Sequence, residues 1–139
     1  MNFGACLMLM IDTNVVIDFW RNPSEEMEQE FCANDCCICG VQSAELIYGA
    51  VSEKDAKAIE EALSVFAFVQ VEDTDWIRLG RFLYRLRKRG ITVPFPDALI
   101  ACVAVRHNMP VWTHDKHFHL IQSAIPELKL YRAESGDEA

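Results

Sequence analysis

The chain has 139 residues, 51% hydrophobic and 24% charged, with 13 basic against 21 acidic side chains and a net charge of −8. These values fit one globular domain with its own core and exclude a disordered, collagen-like or low-complexity chain. The longest apolar runs, Ala5 to Ile11 and Ala98 to Val105, fall far short of the roughly 20 residues of a membrane helix, and no basic residue precedes the first, so a cytoplasmic protein is expected.

Leu7 to Ile11 is a short continuous apolar run that suits a strand buried on both faces. Thr13 or Asn14 can cap a short helix through Trp20, which Asn22-Pro23 ends. Ser24 to Ala33 reads as a polar helix and Cys36 to Val41 as a second buried strand. Ser43 is placed to cap a helix carrying Glu45, Leu46, Ile47 and Tyr48, with Gly49 near its end. Ser52, with Asp55 three residues on, opens the next helix, whose apolar face is Ile59, Ala62, Leu63 and Phe66. Phe68 to Val71 is a third strand. Thr74 or Asp75 starts a long helix to Arg89, stopped by Gly90. A proline-bearing loop, Thr92 to Pro96, leads to an apolar helix from Pro96 or Asp97 to about His107. Pro110 to Thr113 is a fourth strand, His117 to Ala124 a helix, and Leu128 to Tyr131 a last strand, followed by an acidic tail from Glu134 to Ala139. Short apolar strands alternating with helices define an α/β domain with a mainly parallel sheet. The domain takes residues 1–132 and the tail residues 133–139.

In an open parallel sheet, sites form outside the carboxyl ends of the strands. Asp12 follows the first strand, Glu45 lies near the start of the helix after the second, Asp97 opens the apolar helix, and Asp115 follows the fourth strand. Each alone has an ordinary use as a cap, a turn former or a first-turn acid. Together they would repel one another at one sheet edge, and a divalent cation resolves that repulsion. Oxygen ligands of this kind suit Mg²⁺ or Mn²⁺, which favour phosphate oxygens and can activate water. Placing Asp97 at that edge requires the chain between the third and fourth strands to return to the top, a task that falls to the loop from Gly90 to Pro96.

Other polar groups read more simply. Asp18 is a solvated or locally paired acid. His114, His117 and His119 do not match the H-E-x-x-H helix pattern and read as surface or hydrogen-bonding groups. Among the six cysteines, Cys32, Cys36, Cys37 and Cys39 lack the paired spacing of a zinc site, and the set reads as buried, reduced thiols. The net acidity argues against nucleic-acid binding by bulk charge. The long helix nonetheless carries Arg78, Arg81, Arg85 and Lys88 at helical spacing on one face, either a solvated face or a clamp for an RNA backbone.

Four segments carry a family resemblance. Met10-Ile11-Asp12-Thr13-Asn14-Val15-Val16-Ile17-Asp18 resembles the opening of a PIN domain, and Ser43-Ala44-Glu45-Leu46-Ile47-Tyr48-Gly49 is similar to its second motif. Pro96-Asp97-Ala98-Leu99-Ile100-Ala101 and Val111-Trp112-Thr113-His114-Asp115-Lys116-His117-Phe118 resemble the third and fourth. In length and pattern the chain looks most like the VapC-type toxins of toxin–antitoxin pairs. The resemblance implies a three-layer αβα fold with a mainly parallel sheet of four to five strands. It implies a ribonuclease dependent on Mg²⁺ or Mn²⁺, with Asp12, Glu45, Asp97 and Asp115 at the metal-site positions and Thr13 and Thr113 beside them. The fourth motif departs most from the family pattern, because His114 and His117 flank Asp115 where many relatives have Asn or another acid. The implied partners are an RNA substrate, a VapB-like antitoxin and a second copy of the chain, with Trp20, Tyr48 and the helix from Ser52 as candidate anchors for the antitoxin.

Competing sites fail at particular residues. Asn14 stands where a haloacid-dehalogenase-type phosphatase needs a second Asp, and Asp12-Thr13-Asn14 is no glycine-rich phosphate turn. A receiver domain would want an acidic pair at the end of the first strand. The non-enzymatic alternative is a PIN-like protein-interaction module.

Overall fold

In the computed structural model, which describes residues 8–132, four short strands and seven helices alternate. Cys6, Leu7 and the acidic tail, residues 133–139, lie outside the described residues. The elements are β1 (Met8–Ile11), α1 (Thr13–Arg21), α2 (Glu25–Ala33), β2 (Asp35–Ile38), α3 (Gly40–Tyr48), α4 (Glu53–Leu63), β3 (Ala67–Phe68), α5 (Asp73–Lys88), α6 (Phe95–Arg106), β4 (Val111–Trp112) and α7 (His117–Ala124). The sheet order is β3-β2-β1-β4, parallel throughout, with Met10 opposite Cys37 on one side and Val111 on the other.

Strand alternation divides the core into two. Met10, Cys37 and Val111 face a cluster built from α5, α6 and α7, including Leu79, Leu86, Ile100, Val103, Phe118 and Ile121. Leu9, Ile11, Ile38 and Trp112 face Val15 and Val16 of α1, Leu46 of α3 and Leu63 of α4, with Met27 and Phe31 of α2 against them. These are the three layers of an αβα sandwich. Helix α6 lies deepest: seven consecutive residues, Ala98 to Ala104, are buried, which is why its sequence is apolar all round.

Several boundaries differ from the sequence expectations, each for a local reason. Strand β2 ends at Ile38, and α3 starts at Gly40 rather than after Ser43, because Gln42 accepts the Cys39 N–H at 3.0 Å and so starts the helix early. The third strand covers Ala67–Phe68 instead of Phe68 to Val71, and after it the Gln70 carbonyl turns to the Arg106 guanidinium at 3.0 Å. Helix α6 starts at Phe95, so Pro96 occupies its second position, where no N–H is needed. The expected fifth strand is a single bridge, Val111 to Leu130. Ser52 caps α4 as anticipated, at 3.0 Å, and Ser24 caps α2, at 3.1 Å.

Gly90 makes the return that Asp97 needs. It follows α5 with φ of 74°, its N–H bonds Arg87 O, and Ile91 N–H reaches back to Leu86 O at 2.9 Å. This closing motif demands a left-handed residue and turns the chain towards α6.

Candidate active site

The sheet order changes direction at β1: β2 and β3 lie on one side of it and β4 on the other. A crevice forms outside the carboxyl ends at such a switch point. Asp12 comes directly after β1 and Thr113 directly after β4.

Of the four candidate site acids, Asp12 is the most enclosed, 4% exposed. It is the N-cap of α1, where one carboxylate oxygen accepts the Thr13 N–H at 2.8 Å. The other accepts the Thr113 hydroxyl at 2.7 Å. Thr113 Oγ1 in turn accepts the Asp115 N–H at 2.8 Å, and Asp115 Oδ1 accepts the His117 N–H at 2.9 Å. The segment after β4 is thereby folded tightly against the end of β1. From the other wall, the Thr13 hydroxyl donates to Glu45 Oε1 of α3 at 2.6 Å. Asp97 sits in the first turn of α6, with its side chain 13% exposed.

The charges interact. Burial, then the neighbouring Asp97 and Asp115 carboxylates, push the Asp12 carboxyl up to about 6 against the bonds from Thr113 and the Thr13 N–H. Burial and then Asp115 also raise Asp97, with Glu45 adding to the effect and His117 opposing it. The four acids at the strand and helix junctions therefore share one electrostatic site, built from four separate stretches of chain.

Sequence reasoning gave His117 a surface or hydrogen-bonding role without placing it at the acids, and did not single out Gln42. His117 Nδ1 lies 3.2 Å from Asp97 Oδ2 and 3.1 Å from Asp115 Oδ1, between the two carboxylates. Asp97, Asp115 and His117 can each present one ligand atom, all within 4.8 Å of one another. The signal was the spacing: a residue two beyond Asp115, at the first position of α7, follows the same turn back to the site. Gln42 is fully buried beneath α3, with its amide on the Ile11 carbonyl at 2.9 Å. A polar residue inside the helix's buried stripe was the only clue to it.

The remaining candidates are distributed as follows. Asp18 is half-buried and paired across the fold rather than locally, with its carboxylate 2.6 Å from His114 Nδ1. His119 is exposed on α7. Arg78, Arg81, Arg85 and Lys88 share the exposed face of α5, but Arg85 is tied by both guanidinium nitrogens to Glu127, at 3.0 Å and 3.3 Å. Cys37, Cys39 and Cys102 are buried, and burial pushes the Cys102 thiol up to about 11. Cys32 departs from the expectation of a buried thiol, because it lies on the exposed side of α2.

A parallel αβα sheet with an open cluster of carboxylates at its carboxyl edge defines a class of protein, one whose site calls for a cation and suits chemistry at phosphate. Within that class, the chain belongs to the PIN domain family, whose pattern it matches over residues 9–123. It is similar to Ribonuclease VapC1 of Methanocaldococcus jannaschii, 28% identical over 125 residues, 88% of this chain and 86% of that protein. It is also similar to Ribonuclease VapC21 of Mycobacterium tuberculosis, 32% identical over 89 residues, 60% of this chain and 62% of that one. Among solved structures, DNA-bound VapBC from Salmonella typhimurium superposes with a TM-score of 0.79 at 27% identity, covering 90% of this chain and 97% of that chain.

Proposed function

We propose that the protein is a metal-dependent endoribonuclease and the toxin of a VapBC-type toxin–antitoxin pair. One observation carries the reading: Asp12, Glu45, Asp97 and Asp115 converge at one edge, with Asp12 held near 6 by burial and by its acidic neighbours. Such a site is poorly balanced without a cation. The donor set fits a hard divalent ion, because it is mainly carboxylate oxygen with one imidazole nitrogen.

Asp97, Asp115 and His117 would hold the ion from the side of α6 and α7, with Asp12 and Glu45 facing them. Bound Mg²⁺ or Mn²⁺ would supply charge neutralisation at the scissile phosphate and acidify water. Thr113 and the Thr13 N–H fix both oxygens of Asp12. The Thr13 hydroxyl occupies Oε1 of Glu45, which leaves Oε2 to orient the attacking water and take its proton. Water attacks phosphorus in line, the bond from phosphorus to the 3′ oxygen breaks, and that oxygen takes up a proton. The products carry 5′-phosphate and 3′-hydroxyl ends. The exposed cations of α5, Arg78, Arg81 and Lys88 with the partly engaged Arg85, would meet the RNA backbone.

The antitoxin would be a VapB-like protein that sends a basic side chain to the acids, since an Arg fork matches a carboxylate. Tyr48, 90% exposed at the end of the helix bearing Glu45, and Val51 just beyond it offer apolar anchorage, and Trp20 is also partly exposed. The toxin itself would form a homodimer, which its mass in solution tests.

The deciding experiment incubates purified protein with a defined RNA in Mg²⁺ or Mn²⁺ and in chelator. Cleavage should require the metal, leave 5′-phosphate ends, and be lost in Asp12→Asn and Asp97→Asn. Full activity in either variant would overturn the site.

A further inference from the structure

Gln42 lies where the sheet should continue. Strand β1 pairs with β2 in parallel register through Met10 and Cys37. The Met10 and Asp12 N–H groups point the other way, to Pro110 O and Trp112 O beside β4, so the Ile11 backbone faces β2. On the far strand, Ile38 faces β3 through its carbonyl, which accepts the Val69 N–H at 2.8 Å, so the Cys39 N–H faces β1. In a regular parallel ladder the next rung would join Cys39 N–H directly to Ile11 O. Instead the Gln42 carboxamide stands between them. Its Oε1 accepts the Cys39 N–H at 3.0 Å and its Nε2 donates to Ile11 O at 2.9 Å.

The insertion is complete. The second proton on Nε2 points to Met10 Sδ at 3.3 Å, and Oε1 also accepts the Cys39 thiol at 3.2 Å. Burial raises that thiol, which keeps it an S–H donor. The amide is fully buried and has no unpaired valence. One N–H···O contact of about 2.9 Å is replaced by two in series with an amide between them, so the strands part by the width of that group. They part where Asp12 leaves β1 and α3 leaves β2.

The gap has a consequence one helical turn away. Gln42 and Glu45 are three residues apart on α3 and therefore neighbours on its surface. Glu45 accepts the Thr13 hydroxyl, and Thr13 follows Asp12. The chain thus closes a circuit around Asp12, running from Ile11 O to Gln42, along α3 to Glu45, and across to Thr13.

We propose that Gln42 is a positioning residue: its amide spaces β1 from α3 and so sets Glu45 against Asp12 for a shared cation. The proposal rests on the metal-site reading above. Groups that orient ligands from behind typically change metal affinity by about 10–100-fold when lost.

The test is a double-mutant cycle read by Mn²⁺ affinity, with free Mn²⁺ followed by electron paramagnetic resonance well below the melting temperature. The variants are Gln42→Met, close in size and without the amide, Glu45→Gln, and the pair. Gln42→Met should weaken Mn²⁺ binding about 10-fold or more while remaining folded by circular dichroism. Added to Glu45→Gln it should cost little further, because both act through the same carboxylate. Wild-type affinity in folded Gln42→Met, or a loss that adds in full to that of Glu45→Gln, overturns the proposal and leaves the metal site standing. Absence of Mn²⁺ binding in the wild type overturns the metal reading, and this proposal with it. If Gln42→Met does not fold, Gln42→Asn, which keeps the amide but withdraws it by one methylene, is put through the same cycle. Failure of both to fold overturns the proposal by making Gln42 a residue of the fold alone.

Discussion

Asp12 carries opposed duties. It caps α1, anchors Thr113, and is held towards its protonated form by burial and then by its acidic neighbours. Its carboxyl lies near 6 in the fold against 3.8 ordinarily, so folding favours the neutral acid. That contribution is fully present below pH of about 4 and is lost as pH rises through about 6. Above that, ionised Asp12 costs the metal-free protein on the order of 2–3 kcal/mol. Asp12→Asn should therefore be the more stable protein in chelator at pH 7.5, by about 1–3 kcal/mol, with the difference gone near pH 4. Urea unfolding at the two pH values measures it. Lower stability of Asp12→Asn at pH 7.5 would mean that the bonds to Thr13 and Thr113 outweigh the burial and the repulsion. The same variant should have lost RNA cleavage, separating what the residue does for the site from what it costs the fold.

Among the elements, α6 is fixed at both ends by different means. At its start Asp97 faces the site. At its end Arg106 donates to both oxygens of the buried Asp75, at 2.6 Å and 2.8 Å. Asp75 also accepts the Glu72 N–H at 2.8 Å and so caps α5. Burial pushes its carboxyl up, but the Arg106 guanidinium and the Glu72 N–H outweigh this and hold it below the ordinary value. The pair therefore stabilises the fold above that ordinary value, and the benefit is lost as pH falls through the folded one. Arg106→Ala strands a buried carboxylate and should cost about 3–5 kcal/mol in urea unfolding. Nine residues of helix, about 14 Å, separate Arg106 from Asp97, so cleavage per folded molecule should stay near wild type. A large loss of activity in the folded variant would instead tie α5 to the chemistry.

These elements also explain what could be read from sequence. Asp12, Glu45, Asp97 and Asp115 stood out because acids at the junctions of apolar segments are local features. Gly90 stood out because a left-handed helix end selects glycine. Asn108 plays the same part after α6, with φ of 57° and Met109 N–H returning to Ala104 O, and it went unread because Asn has many other uses. The contacts of Gln42 and His117 are tertiary: one depends on where β1 lies beside β2, the other on the approach of α6 to α7. Likewise the basic stripe on α5 was plain from spacing, whereas the engagement of Arg85 by Glu127 required the fold.

For the molecule as a whole, cation binding and stability should be linked. A divalent ion that binds the folded cluster and not the unfolded chain stabilises by about 2.7 kcal/mol at 100 times its dissociation constant. Mn²⁺ or Mg²⁺ should thus raise the melting temperature of the wild type, and the rise should shrink in Asp97→Asn and Asp115→Asn. Equal rises in all three proteins, followed by scanning calorimetry, would mark a nonspecific salt effect. A co-purified antitoxin should suppress both RNA cleavage and the response to added metal, since its basic side chain would compete for the same carboxylates.

The bond from Thr113 to Asp12 joins positions 101 residues apart, and β4, the last strand among the described residues, lies against β1, the first of them. A ribosome releases the chain from its N-terminus at about 5–20 residues per second. Asp12 and Glu45 therefore emerge well before Asp97, Asp115 and His117, and through that interval the nascent polypeptide holds only half of the proposed cation site. On the function proposed above, the chain would not cut RNA until the segment after β4 clears the exit tunnel and closes against β1, and an antitoxin already present would have that interval in which to meet it.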